Sequence, residues 1–274
     1  MSDSDPSGRP STAAPNSDEV RRSFANQAAA FEDPARHFSN PDLAAWMRDN
    51  TPTAATDVVL EVAAGTALFG RALAPSVAAV VAVDLTVEML EAGKAGAEAA
   101  GIRNVVFELG DATAMPYLGA SFDLVVSRLA VHHFSDPAVP LSEMLRVCRP
   151  DGTIAVIDMV VVDEEQKDFF NELERRRDPA HTSALSRREL AAAITAAGAA
   201  VRHTATWDNV LQPAAWFAQT HTAPADVAHI TAAWEDELAG GRPTGMDPRV
   251  VDGHLEFVHH WDLLVAVPAS GVRH

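Results

Sequence analysis

The stretch Asp57–Pro75, "DVVLEVAAGTALFGRALAP", decides how this chain is read. It passes from a β-branched apolar run through a loop of small residues into a helical pattern, the order in which a nucleotide-type cofactor site opens in an α/β fold. A dinucleotide site wants G-x-G-x-x-G, with a middle glycine so that the backbone can approach a pyrophosphate. The matching window here is Gly65-Thr66-Ala67-Leu68-Phe69-Gly70, with Ala67 in the middle. Glu61 stands just upstream and would repel a pyrophosphate rather than hold it.

Working outward, apolar runs alternate with helical patterns. Strands are expected at Val58–Val62, Val77–Val83, Val105–Leu109, Phe122–Ser127, Thr153–Met159, Val201–Trp207 and Leu255–Val267. Helices are expected at Leu68–Leu73, at Val87–Ala100 with Thr86 as its cap, and at Leu141–Val147, ended by Pro150-Asp151-Gly152. Another is expected at Ser186–Ala197, where Glu189 follows Ser186 at capping-box spacing. Continuous Val/Ile/Leu strands alternating with helices imply an α/β fold: a Rossmann-like, seven-stranded, mostly parallel sheet with helices on both faces. The segments expected are a disordered tail over 1–17, an N-terminal helical cap over 18–56 and a core over 57–211. A helical insertion over 212–252, a lid or a closure of the sheet edge, precedes a final strand and tail over 253–274. In the cap, Asn40 is placed to cap a helix that opens with Pro41.

Lys+Arg 21 against Asp+Glu 38 gives a net charge of -17 in 274 residues. Nucleic acid and anionic membranes are not the expected partners, because both need clustered basic residues. Arg175-Arg176-Arg177 is the one run of three, and its acidic flanks suggest a solvated helix face. The single cysteine, Cys148, fits a reducing cytoplasm and reads as a buried structural thiol. The N-terminal residues lack the apolar core of a signal peptide, and no apolar run approaches the ~18 residues of a membrane span. The expectation is a cytoplasmic monomer or homodimer acting on a small molecule.

A ligand with a carboxylate and an ammonium suits the first loop better than NAD does. The carboxylate can use the free N–H groups at the helix start, and Glu61 can face the cationic end. S-adenosyl-L-methionine carries both groups. Asp84 follows Glu61 by about 20 residues, the offset at which an acid takes a ribose hydroxyl pair. Asp111, in "LGDATAMP", can accept from an exocyclic adenine amino group.

Four segments, "VLEVAAGTALFGRALAP", "VVAVDLTVEML", "VVFELGDATAMPYLGASFDLVVSRLAVHHFSDP" and "EMLRVCRPDGTIAVIDMV", resemble in order and spacing the motifs of class I S-adenosylmethionine-dependent methyltransferases. The similarity is to the subgroup that includes ubiquinone/menaquinone-biosynthesis C-methyltransferases, and it covers about residues 20–205. It implies a cofactor site made of Glu61, Ala63, Ala64, Gly65 and Thr66, then Asp84, Leu85 and Met89, then Gly110, Asp111 and Ala112, and finally Ser127 and Arg128. Glu61 stands where the family more often has Asp. Ala63 and Ala67 replace usual glycines, a small cost if Ala67 begins the helix with a helical φ.

Methyl transfer is an in-line displacement that needs alignment and exclusion of water, with a base where the nucleophile carries a proton. His132 and His133 follow the fourth strand and are the candidate catalytic residues, His132 toward substrate and His133 against cofactor or loop. Structural loop histidines, one or both, are an equal alternative. No third ligand follows at helical spacing, so no metal is expected. Asp158 is a further candidate. His181, Trp216 and Phe31 are candidate substrate contacts, with Phe24 and Phe38 as further aromatic walls. The fourth strand continues into Ser127-Arg128-Leu129-Ala130 rather than the Asn/Asp-Pro-Pro-Tyr/Phe signature of base-amino methyltransferases. The acceptor atom (O, N or C) stays open. So do two other functions: a non-methylating reaction on the same fold, such as a cyclisation, and cofactor sensing without turnover.

Overall fold

The structure is a computed structural model that describes residues 21–25, 28 and 40–269. The tail over 1–17 and the side chains of Phe31 and Phe38 lie outside the described residues. Nine strands form one sheet whose main path runs β3-β2-β1-β4-β5-β9-β7. They are β1 Val58–Val62, β2 Ala79–Asp84, β3 Val105–Leu109, β4 Phe122–Arg128 and β5 Cys148–Val161, then β6 Leu185–Ser186, β7 Ala199–Leu211, β8 Arg249–Val251 and β9 His254–Pro268. The first five pair in parallel; β9 runs antiparallel to both β5 and β7. Short β6 and β8 pair with β5 and β9.

The central strands leave no polar face because helices cover both sides. Val59, Val80 and Leu124 pack on one side with Phe69 and Leu73. Their neighbours Leu60, Val62 and Val125 pack on the other with Leu141 and Leu145. Eight labelled helices do this covering: α1 Pro41–Asn50, α2 Leu68–Leu73, α3 Val87–Ala99, α4 Ala138–Val147, α5 Lys167–Arg177, α6 Arg187–Ala196, α7 Pro213–Thr220 and α8 Pro224–Leu238.

Local signals set most of the helix starts. Asn40 caps α1 by accepting from Asp42 N, with Pro41 in the first turn. Ser186 and Glu189 form the reciprocal capping box of α6. Thr86 sits at the cap position of α3, but its side chain makes no capping bond; its N–H instead donates to Asp84 Oδ1 at 2.8 Å.

Three expectations need correction. β2 begins at Ala79 rather than Val77, because Ala74–Ser76 forms a 3-10 turn and the N–H groups of Ala78 and Ala79 then bond to Asp57 O. β5 begins at Cys148, so Pro150-Asp151-Gly152 lies inside it, where the register with β4 shifts between Phe122 and Leu124. A Cβ on Gly152 would stand 2.7 Å from Asp123 O, so only glycine fits that bulge. Arg175-Arg176-Arg177 is not a uniformly solvated face: Arg175 and Arg176 are exposed, whereas Arg177 is buried against α7.

The segment between β7 and β8 holds α7 and α8. Trp234 stacks on Phe257 with centroids 4.6 Å apart, and Trp216 meets the same ring edge-on at 4.8 Å. These aromatic contacts fix the helical pair onto β9.

Candidate functional site

The parallel strands deliver their carboxyl ends to one rim of the sheet, where the order reverses between β1 and β4. The loop after β1 carries three residues in the left-handed region: Ala63 at φ 50, Gly65 at φ 55 and Ala67 at φ 58. Ala67 therefore does not enter the helix with helical dihedrals, as the sequence suggested; it precedes α2 in a conformation that costs an L-residue about 1–2 kcal/mol. Hydrogen bonds impose this path. Ala64 N donates to Val83 O, Ala67 N to Ala64 O, and Gly65 N to Asp84 Oδ2 at 2.7 Å. Asp84 thus ties the first loop to the second, since its other oxygen holds Thr86.

A cavity of about 220 Å³ opens along this rim. Its near end is walled by Ala63, Ala64, Gly65 and Thr66, by Asp84, Leu85 and Met89, and by Gly110, Asp111 and Ala112. Arg128 joins them from the end of β4. Asp111 spends Oδ1 on the N–H and hydroxyl of Thr113. Two expected residues do not reach the wall. Glu61 is 1% exposed and turns its carboxylate to Gly70 N at 2.7 Å. A Cβ on Gly70 would stand 2.7 Å from that oxygen, so this contact needs glycine. Burial pushes the Glu61 pKa up to about 7, opposed by the Gly70 N–H and the charge of Arg128. Ser127 is likewise buried behind the wall, and its hydroxyl has no partner among the described residues.

The far end is built differently. After Arg128 the chain turns through Leu129 at φ 52 into a 3-10 turn, Val131–His133. Asp158 on β5 fixes that turn: Oδ2 accepts from Val131 N at 2.6 Å, and Oδ1 accepts from Met159 N and lies 2.5 Å from His132 Nδ1. A carboxylate only accepts, so Nδ1 carries the hydrogen and Nε2 is the basic nitrogen of the neutral ring. Burial alone would lower the His132 pKa, but the Asp158 charge and hydrogen bond outweigh it and the net direction is up. His133 donates from Nδ1 to Ala180 O at 2.9 Å, and burial with the His132 charge lowers its pKa to about 4. His181 lies 2.7 Å from Asn171 Oδ1, and burial holds it neutral. The three rings cluster, with His132 centred 4.1 Å from His133 and 5.4 Å from His181.

His132, His133, His181, Trp216 and Phe24 all line this cavity. Sequence reasoning missed the rest of its far wall: Glu174 and Arg177 on α5, Gln219 on α7, and Asn209, His259 and Trp261 on β7 and β9. Signals for them exist in the sequence. Phe170, Leu173, Glu174 and Arg177 share one helical stripe, and Phe257, His259 and Trp261 alternate on one strand face. A polar residue on each apolar face was the clue. Arg177 Nη2 donates to Gln219 Oε1 at 2.8 Å, and its guanidinium lies 4.8 Å from the Trp216 ring centre. Among the described residues, no cluster of three metal-ligating side chains is formed.

The cavity's donors and acceptors suit a cofactor with a diol, an amine and a charged amino-acid end. Asp84 and Asp111 supply carboxylates at the ends of β2 and β3, and the buried hydroxyl of Thr66 is left without a partner in the wall.

The family model described as "Methyltransferase domain" matches residues 60–156. The methyltransferase YcgJ of Bacillus subtilis is 31% identical over 204 residues, 74% of this chain and 80% of that protein. Its crystal structure covers 85% of this chain and 100% of its own at a TM-score of 0.75 and 26% identity. A demethylmenaquinone methyltransferase of a Mycobacterium species is 40% identical over 102 residues, 37% of this chain and 41% of that protein. The geranyl diphosphate C-methyltransferase of Streptomyces coelicolor, solved with S-adenosyl-L-homocysteine, shares the fold at a TM-score of 0.65 and 13% identity, covering 95% of this chain and 100% of its own.

Proposed function

This chain belongs to the class I S-adenosylmethionine-dependent methyltransferases of the ubiquinone/menaquinone type, and on that premise we propose that it methylates a small molecule at an oxygen or nitrogen that gives up a proton. The observation that carries this reading is the buried His132–Asp158 pair in the far wall of the cofactor cavity. A carbon acceptor without an ionisable group has no use for a base so held.

The cofactor, when bound, supplies an electrophilic methyl group on a sulfonium. Asp84 is assigned to its ribose hydroxyls, Asp111 to its adenine amine, and the Ala63–Thr66 loop to its amino-acid end. Asp158 holds the His132 ring in the tautomer whose Nε2 can take the acceptor's proton, and it stabilises the imidazolium that results. His133 and His181, kept neutral by burial, pack against His132 without adding competing charge. We assign 57–211 to the cofactor-binding core and 212–252 to a cover that keeps water from the acceptor end, supported by Trp216 in the wall. The net charge of -17 favours a small molecule over nucleic acid. No helix among the described residues is long and apolar enough to cross a membrane.

The test is a screen of hydroxylated and amine acceptors with methyl-labelled S-adenosylmethionine, reading label in product and S-adenosylhomocysteine released. Label found only on carbons of acceptors that bear no hydroxyl or amine would remove the role given to His132. No labelled product from any acceptor would reject methyl transfer as the activity.

A further inference from the structure

The acceptor end of the cavity contains a carboxylate that methyl transfer does not use. Glu174 is 1% exposed and lies in the cavity wall. His259 Nε2 stands 2.8 Å from its Oε1, and Arg177 Nη1 is 4.0 Å from Oε2. Oε1 is thus paired with His259, whereas Oε2 accepts no hydrogen bond among the described residues, although an ionised carboxylate has about four acceptor positions. Burial would raise its pKa, but the charge and hydrogen bonding of His259 and the charge of Arg177 prevail and hold it below the usual carboxylate value. A buried carboxylate with this much unused capacity is costly unless a ligand supplies the donor.

The surrounding charge narrows that ligand. Arg177 Nη1 is 4.0 Å from Glu174 Oε2, and its Nη2 donates to Gln219 Oε1. An anion set against Glu174 would therefore meet a buried negative charge whose neighbouring guanidinium is already engaged by Gln219. Trp216 and Trp261 supply flat apolar wall to the same cavity.

We propose that Glu174 is a specificity-determining residue: the acceptor is an aryl molecule that presents an uncharged hydrogen-bond donor, a hydroxyl or an N–H, to this carboxylate and bears no anionic group there. The proposal rests on the methyltransferase reading, because it takes the Glu174 end of the cavity as the acceptor's.

The full chain, saturated with S-adenosylhomocysteine, is titrated with three phenols that differ only in the end of the para tail: hydroxyl, methoxy and carboxylate. The hydroxyl probe is expected to bind at least tenfold tighter than the methoxy and more than tenfold tighter than the carboxylate, the size of a hydrogen bond to a charged group. In Glu174→Gln the carboxylate-to-hydroxyl gap should narrow at least threefold, which a merely structural role would not produce. Carboxylate binding as tight as hydroxyl in the wild-type protein overturns the proposal, as does binding of none of the three. An unchanged gap in a folded Glu174→Gln does the same. Should that variant not fold, the wild-type series alone decides. Failure to bind S-adenosylhomocysteine would instead count against the cofactor and methyl-transfer reading.

Discussion

Nδ1 of His132 lies 2.5 Å from Oδ1 of Asp158, and the same carboxylate bonds the backbone N–H of Val131 one residue earlier. One side chain thus fixes both the turn that carries the imidazole and the ring's tautomer. Asp158→Asn should keep much of the turn but present an amide where the ring needs an acceptor. The expected fall in kcat is about 10²–10⁴-fold, similar to that of His132→Ala, with S-adenosylhomocysteine affinity nearly unchanged. Isothermal titration and turnover together check this; a Asp158→Asn enzyme with normal kcat would reduce the pair to scaffold.

The pH profile carries a sign. The His132 pKa lies above the ordinary imidazole value of 6.5, and the base is its neutral form. Turnover of a proton-bearing acceptor should therefore rise with pH and level off above that value. Asp158→Asn should move the inflection down. A profile flat from pH 6 to 9 would dissociate the rate from this histidine.

Asp84 accepts from Gly65 N and Thr86 N, so it shapes the loop besides facing the cavity. Asp84→Ala should weaken S-adenosylhomocysteine binding by about a hundredfold or more, losing two hydrogen bonds to a charged group. Affinity within threefold of the parent would place the cofactor elsewhere.

Ala63 and Ala67 make a paired test of backbone strain. Each sits at positive φ, but Ala67 is wholly buried whereas Ala63 is not. Ala63→Gly should stabilise the chain by about 0.5–1 kcal/mol, relief of the left-handed cost less the entropy of glycine. Ala67→Gly also removes a buried methyl worth about 0.8 kcal/mol, and should come out near neutral. Thermal unfolding distinguishes them, and equal shifts would contradict the argument.

Glu61 should make stability pH-dependent. Its folded-state pKa, raised from 4.5 to about 7, means that its contribution is complete below 4.5 and is lost as pH climbs through 7. Glu61→Gln, fixed in the neutral form, should match the parent at about pH 4 and exceed it by about 3 kcal/mol at about pH 8. A variant less stable than the parent at pH 8 would show that the ionised form is the one the fold prefers.

Much of the sheet was legible because its central strands are buried and read as nearly continuous apolar runs, as in Val58–Val62, and the same β-branched pattern marks the more exposed edge strand Val105–Leu109. The cofactor end followed, since its residues sit next to strand ends in the sequence: Asp84 closes β2 and Asp111 comes just after β3. The acceptor end was less legible. Glu174 meets His259 only because α5 folds over β9, a pairing that no local pattern encodes. Arg177 was concealed by two exposed arginines before it, and Glu61 by a direction of side chain that only the close approach of Gly70 determines.

The cavity's two ends come from different stretches of the chain. Residues 63–128 build the near end, and beyond the turn that carries His132 and His133 much of the far wall is contributed by residues 174–261. Substitutions in the later stretch can therefore retarget the enzyme to new acceptors while the methyl-donor pocket stays intact. Exchanging the segment from α5 to β9 between relatives is the natural recombination boundary for altering what such a scaffold modifies.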